Sequence, residues 1–269
     1  MKTDFKEQDL PYKDLEKLGL YVKGRMLLSQ ENIDALLAGR RTEMNSFRDL
    51  KLEGLNIRKL DAKLSLIKNE DGSIGLNIHP IYKKVKPHHL LNENESELLQ
   101  KGEVDNIVKE ERKKDTIRKL IIEYDEQTKE FISYDPDQLR APIKGNGEEL
   151  DENQKKKFRH GEIVELSDGT KFQHTALNSQ GIRSDSKRLA LSVLLDAGIS
   201  YLVYRGVQAL RNRAAKYQNE GYSSGYNQAL ADMKGKEKKL DANMTVEQLI
   251  ENHKRPKQET RGYGRTSSR

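Results

Sequence analysis

Hydrophobic and polar residues follow a pattern along the first two thirds of the chain that changes period three times over. Short amphipathic runs with helical spacing open each round: Ile33, Leu36 and Leu37, then Leu98 and Leu99, then Phe158. All three are framed alike. Leu28-Ser29 precedes Gly39, Leu91-Asn92 precedes Gly102 and Leu150-Asp151 precedes Gly161, with a Leu-to-Gly spacing of eleven each time. Ser, Asn and Asp are strong N-caps because their side-chain oxygens accept from the free amides of a first helical turn. Gly at the far end accepts the left-handed conformation that stops a helix. Asn92 and Glu95 also have the spacing of a capping box. The pattern predicts three helices of two to three turns. A preliminary short helix is predicted with Pro11 near its first turn, Gly19 after it, and Tyr12, Leu15 and Leu18 as its apolar stripe.

After each helix the period drops to two, the mark of a half-buried strand. Leu60, Ala62, Leu64 and Leu66 alternate with polar residues, Asp71-Gly72 follows, and Ile74, Leu76 and Ile78 alternate again. Asp-Gly favours the positive φ angles of a tight hairpin turn. The second copy runs Ile117 to Tyr124, turns through Asp125 to Lys129 and returns through Phe131 to Tyr134. The third runs Ile163 to Leu166, turns at Asp168-Gly169 and returns through Phe172, His174 and Ala176. The copies recur after 63 and 59 residues, longer than common solenoid periods, as expected of small modules in series.

The stretch from Leu189 to Tyr204 is the most apolar of the chain. It is too short to cross a bilayer, which takes about 20 apolar residues, before Arg205, Arg211 and Arg213 intervene. It is expected to form a helical pair broken near Gly198 and capped again at Ser200, buried or facing a partner. Beyond Tyr217 the chain is polar and glycine-punctuated. It reads as mostly disordered, with one short helix over Thr245 to Asn252; Tyr222, Tyr226 and Tyr263 read as part of an inert linker or, alternatively, as stacking surfaces for bases.

The expected fold class is therefore α+β: three serial helix-plus-β-hairpin modules, then an apolar C-terminal helix pair and a largely disordered basic tail. The expected boundaries are 1–88 for the N-terminal helix and first module, 89–148 and 149–182 for the second and third, 183–217 for the apolar and basic segment, and 218–269 for the tail.

Composition changes this picture in two ways. With 34% charged and 34% hydrophobic residues, no Trp and five Phe, several small cores are favoured over one large one. Cysteine is absent, which removes disulfides, thiolate metal sites and a thiol nucleophile. The polar run Met1 to Leu10 lacks the apolar core of a secretory signal, so a cytoplasmic location is expected. The net charge of +6 is unevenly placed. Residues 1–182 carry 32 Lys and Arg against 34 Asp and Glu, whereas residues 183–217 carry seven against two. Residues 218–269 carry ten against seven. Such a segment can hold polyanions by counterion release.

Catalytic chemistry is sought without success. Gly145-Asn146-Gly147 is followed by Glu148 and Glu149, which would repel phosphate, and it reads as a turn. His88-His89 has no third ligand at metal-site spacing. Pro136-Asp137 is not followed by the acidic-x-Lys triplet of a nuclease, and no Gly-x-Ser-x-Gly elbow occurs. No catalytic residue, metal or cofactor is predicted.

Phe158 to Thr170, with Phe172-Gln173-His174-Thr175-Ala176 and Gly181-Ile182-Arg183-Ser184-Asp185, resembles uncharacterised domains carried by conjugative transposons and plasmids of gut anaerobic bacteria. Asp196-Ala197-Gly198-Ile199-Ser200-Tyr201-Leu202, Leu10-Pro11-Tyr12 through Gly19 and Ile78-His79-Pro80 are similar to the same group, so the likeness spans Leu10 to Ala215. It implies company with conjugation, mobilisation and topoisomerase-type DNA-processing proteins and supplies no catalytic residues.

Two functions are expected from these features. The first is a non-enzymatic accessory factor of a mobile element that binds DNA or a DNA-processing complex, with Arg183, Lys187, Arg188, Arg205, Arg211, Arg213 and Lys216 on phosphate. The second is an oligomeric or adaptor protein that docks through Leu191, Leu194, Leu195, Tyr201, Leu202, Val207 and Leu210. Membrane association is not expected.

Overall fold

The computed structural model describes residues 5–52, 55–113, 116–195, 198–210, 218–219 and 221–240. They form an α+β protein. α1 (Tyr12–Lys17) buries Leu15 and is followed by a small ribbon of β1 (Tyr21–Val22) and β2 (Arg25–Met26). The three predicted helices form where their caps placed them. In α2 (Gln30–Leu37) the Ser29 hydroxyl accepts from the Asn32 amide. In α3 (Glu93–Lys101) Asn92 and Glu95 close a reciprocal capping box. In α4 (Glu152–Arg159) Asp151 and Gln154 do the same. Gly39, Gly102 and Gly161 follow them at φ of 70°, 69° and 65°, a conformation in which Cβ is costly.

Each of the first two helices feeds a three-stranded antiparallel meander. β3 (Asn45–Leu52), β4 (Leu55–Lys68) and β5 (Ile74–Pro80) form one; β6 (Ile107–Lys113), β7 (Thr116–Asp125) and β8 (Glu130–Tyr134) form the next. The predicted hairpins are β4–β5 and β7–β8, with Leu64 opposite Ile78 and Tyr124 opposite Phe131. β3 and β6 are additional. They are edge strands, and the charged side chains that protect such edges blur the apolar alternation. A two-residue ribbon, β9 (Lys144–Gly145) and β10 (Glu148–Glu149), turns through Asn146-Gly147 as expected for that loop. After α4, β11 (Val164–Glu165), β12 (Lys171–His174) and β13 (Ile182–Ser184) repeat the meander.

The apolar helix pair expected over 189–210 is not formed. Those residues make β14 (Arg188–Leu195) and β15 (Gly198–Arg205), an antiparallel hairpin beside β9, and then β16 (Gln208–Ala209), parallel to β13. The reason lies in burial on two sides. Leu189 and Leu191 enter a core with Phe158, Val164 and Phe172, while Ala190 packs under Tyr226 and Ala229. A strand covered on both faces loses its alternation and reads as a continuous apolar run. The cover on the second face is α5 (Ser224–Leu240), which replaces part of the tail expected to be disordered. The short helix expected over Thr245 to Asn252 lies outside the described residues.

The modules are coupled by polar groups at equivalent positions. Ala62, Ile122 and Phe172 each lie opposite the first residue of the preceding strand, and the next residue in each central strand is a buried polar one: Lys63, Glu123 and Gln173. Lys63 Nζ donates to Asp125 Oδ2 of β7 at 2.9 Å and to the Leu177 carbonyl at 3.0 Å. Glu123 Oε2 accepts from Thr175 Oγ1 at 2.8 Å and from the Ala176 amide at 2.9 Å. Thus each of the first two central strands reaches into the module that follows. Around the first junction Arg41 donates to Glu130 at 2.9 Å. His79 bridges Glu130 and Ser65 at 3.2 and 2.9 Å. The loop from Thr175 to Gly181 is held from the other side, where Arg40 donates to the Ser179 carbonyl and Ser179 donates to Glu43 and Glu31.

Burial holds Glu123 protonated to about 7, against the hydrogen bonds from Thr175 and Ala176 and the charge of Arg183. Between its ordinary 4.5 and about 7 the unfolded chain gives up this proton while the folded chain keeps it, so the contribution of Glu123 to stability declines as pH rises through that window. Buried His174, pushed down to about 3 by burial and by Arg40, contributes with the opposite slope between there and 6.5. The Glu123 effect is therefore read as a difference. Glu123→Gln keeps an acceptor for both donors, and relative to wild type its unfolding free energy should gain roughly 3 kcal/mol between pH 4.5 and 7.5 in urea titrations. A difference that does not vary with pH refutes the assignment.

Candidate nucleic-acid interface

The basic residues after position 182 are distributed by the β14–β15 hairpin and its neighbours. Arg188 begins β14 and Arg205 ends β15, and the antiparallel register sets them directly opposite each other. Like charges facing across a ladder repel. The Arg188 guanidinium lies over the ring of Tyr222, 3.9 Å from its centroid, and the Tyr222 ring contacts Tyr226 at 5.5 Å. Such a cation–π contact stabilises by about 0.5–1 kcal/mol at an exposed site. Arg205 is exposed, Tyr222 is 56% exposed and Lys187 is half-buried beside Arg188. Arg183 stands apart on β13, opposite Gln208 and close enough to influence Glu123. Arg211, Arg213 and Lys216 lie outside the described residues. The base of the hairpin thus brings Arg188 and Arg205 together, with Lys187 next in the chain and Tyr222 as an aromatic neighbour of Arg188.

Of the residues expected at a docking face, Leu191, Val207 and Leu210 are core residues, 2%, 2% and 6% exposed. They are corrected to structural roles, because strand geometry turns them inward where a helix would have turned them out. Leu202 is 39% exposed on β15, the end strand of its sheet. The side chains of Leu194, Leu195 and Tyr201 lie outside the described residues.

Residues 5–90 match the model of a family described as a protein of unknown function (DUF4099). That stretch runs from before α1 to just past β5 and ends ahead of the Asn92 cap of α3. Comparison with curated proteins and with solved structures gave no match. No helix among the described residues is long and apolar enough to cross a membrane. Among them, too, no cluster of three or more His, Asp or Glu has the geometry to hold a metal ion. His88 and His89 stack on each other, their ring centroids 4.9 Å apart.

The position of Tyr222 depends on how α5 is clamped. Ser223 Oγ donates to Asp168 Oδ2 at 2.6 Å and accepts from the Tyr226 amide, which caps the helix. Asn146 donates to Asp168 and Ser223, and its own Oδ1 accepts from the Ala190 amide of β14. Burial pushes the Asp168 carboxyl up, but the hydrogen bonds from Ser223, the Thr170 amide and Asn146 outweigh it and hold it below its ordinary value. Asp168-Gly169 and Gly145-Asn146-Gly147 read as turns in the sequence. Their second role, anchoring a helix 55 and 77 residues later, leaves no local signal.

Gly225 makes this clamp possible, since a Cβ there would lie 2.7 Å from Asp168 Oδ2 and 2.9 Å from the Asn146 carbonyl. Gly225→Ala should loosen α5 by about 1–3 kcal/mol. Amide exchange over residues 224–234 should accelerate at least fivefold while that of β4 is unchanged; equal protection in both proteins sinks the clamp.

Proposed function

We propose that the protein is a non-enzymatic accessory factor of a mobile genetic element that binds nucleic acid through the face built by Lys187, Arg188, Arg205 and Tyr222. The carrying observation is the opposed pair Arg188 and Arg205, with an aromatic ring against one of them. On this reading a phosphate bridges Arg188 and Arg205, and each contact is a charge-assisted hydrogen bond. The +5 balance of residues 183–217 supplies the surrounding field. The likeness to domains carried by conjugative transposons and plasmids supplies the setting, in company with DNA-processing proteins.

Fluorescence anisotropy of the full chain on labelled DNA tests this. Arg188→Glu with Arg205→Glu should weaken binding at least tenfold and flatten the dependence of log Kd on log salt by about two contacts. Unchanged thermal melting confirms that the variant folds. Wild-type and variant proteins with the same affinity, or a wild type with no salt-dependent binding, refute the reading.

A second reading is favoured by Leu202 and by the place of β15 at the end of its sheet. An end strand with an exposed apolar side chain is a template for another chain. On this reading the protein is an adaptor that self-associates along β15. Light scattering should then show an oligomer that Leu202→Asp converts to monomer; a monomeric wild type at 100 μM removes this alternative.

A further inference from the structure

Ile57-Arg58-Lys59-Leu60 of β4 and Ile117-Arg118-Lys119-Leu120 of β7 are the same tetrapeptide. They also occupy the same register, because Lys59 and Lys119 each stand three residues before the residue opposite the start of the preceding strand, Ala62 and Ile122. Elsewhere the two strands have diverged: Asp61-Ala62-Lys63-Leu64 stands where the second copy has Ile121-Ile122-Glu123-Tyr124. Retention of the leucine has a packing cause. Leu60 lies against the first core and Leu120 is buried. The Arg-Lys pairs have none, since all four side chains are exposed.

Both pairs lie on the outer halves of long two-stranded ribbons. In the first, Lys59 stands opposite exposed Arg48; in the second, exposed Arg112 stands opposite Ile117. Residues 45–60 carry four Lys and Arg against two Asp and Glu, and residues 107–120 carry six against three. The cations of the ion pairs already present, Lys59 with Asp61 and Arg118 with Glu111, are 61% and 42% exposed, so solvent screens these pairs and phosphate can compete for them. From Glu110 opposite Lys119 to Lys113 opposite Thr116 the second ribbon extends about 10 Å. That is comparable to the ~8.5 Å depth of the B-DNA major groove, which admits a two-stranded β-ribbon. The described outer halves carry no exposed aromatic ring on which an unpaired base could stack.

We infer that the β3–β4 and β6–β7 ribbons are a matched pair of duplex-DNA contacts, each presenting Arg-Lys to the phosphates along a groove. The inference rests on the reading of the protein as nucleic-acid-binding but uses a surface separate from Arg188 and Arg205.

The full chain is titrated by anisotropy against duplex and single-stranded DNA of equal length. Arg58→Ala/Lys59→Ala and Arg118→Ala/Lys119→Ala should each weaken duplex binding about tenfold and lower the salt slope by about two, with single-strand affinity held within twofold. Arg58→Lys/Arg118→Lys, which keeps the charge, should bind duplex within threefold of wild type, and melting curves of all variants should superimpose. If the fourfold alanine variant binds duplex like wild type while Arg188→Glu/Arg205→Glu is impaired, the ribbons are refuted and the hairpin face stands. Equal losses on both DNA forms refute the duplex assignment. A wild type that binds neither form with salt dependence refutes both surfaces together.

Discussion

A buried polar side chain at the same place in successive central strands holds this fold in series. Lys63 and Glu123 occupy the same place in successive meanders; Lys63 bonds to the end of β7 and to the loop after β12, and Glu123 to the start of that same loop. A buried charge without its partner is strongly destabilising, whereas apolar burial is non-directional. The coupling therefore fixes the angle and offset between modules more sharply than small apolar cores could. Arg41, His79 and Glu130 complete the first junction. Burial pushes the Glu130 carboxyl up, yet the hydrogen bonds from His79 and Arg41 and the charge of Arg41 hold it below its ordinary value. Burial and the facing Arg41 push the His79 imidazole below its ordinary value.

This arrangement lets the rest of the molecule be lightly built. The first core gathers Leu15, Leu36, Phe47 and Leu64, the second little more than Leu99, Ile122 and Tyr124, and the third Phe158, Phe172, Leu189 and Leu191. None is large, in keeping with a chain of few aromatics. On the outer halves of the long hairpins the exposed positions are free to carry charge, although Leu50 and Ile57 of the first still reach its core.

What was legible in the sequence was local chemistry. Ser29, Asn92 and Asp151 cap helices because the capping oxygen and the amide it serves are three residues apart. The Asp71-Gly72 and Asp168-Gly169 turns carry their own φ requirement. Everything requiring a distant partner was hidden. The β14–β15 hairpin looked helical because α5, more than thirty residues later, covers its second face. Leu191 and Val207 looked like docking residues for the same reason. Charge counted over 182 residues came out near neutral and concealed the positive balance of each ribbon, because the compensating acids lie elsewhere in the modules.

The loop from Thr175 to Gly181 closes on Lys63 across 114 residues of chain. During synthesis at 5–20 residues per second, that stretch takes on the order of ten seconds to emerge. Until then the ammonium of the first sheet has only water for company on that side. The N-terminal meander is thus born hydrated on that side and closes only once the third module has emerged.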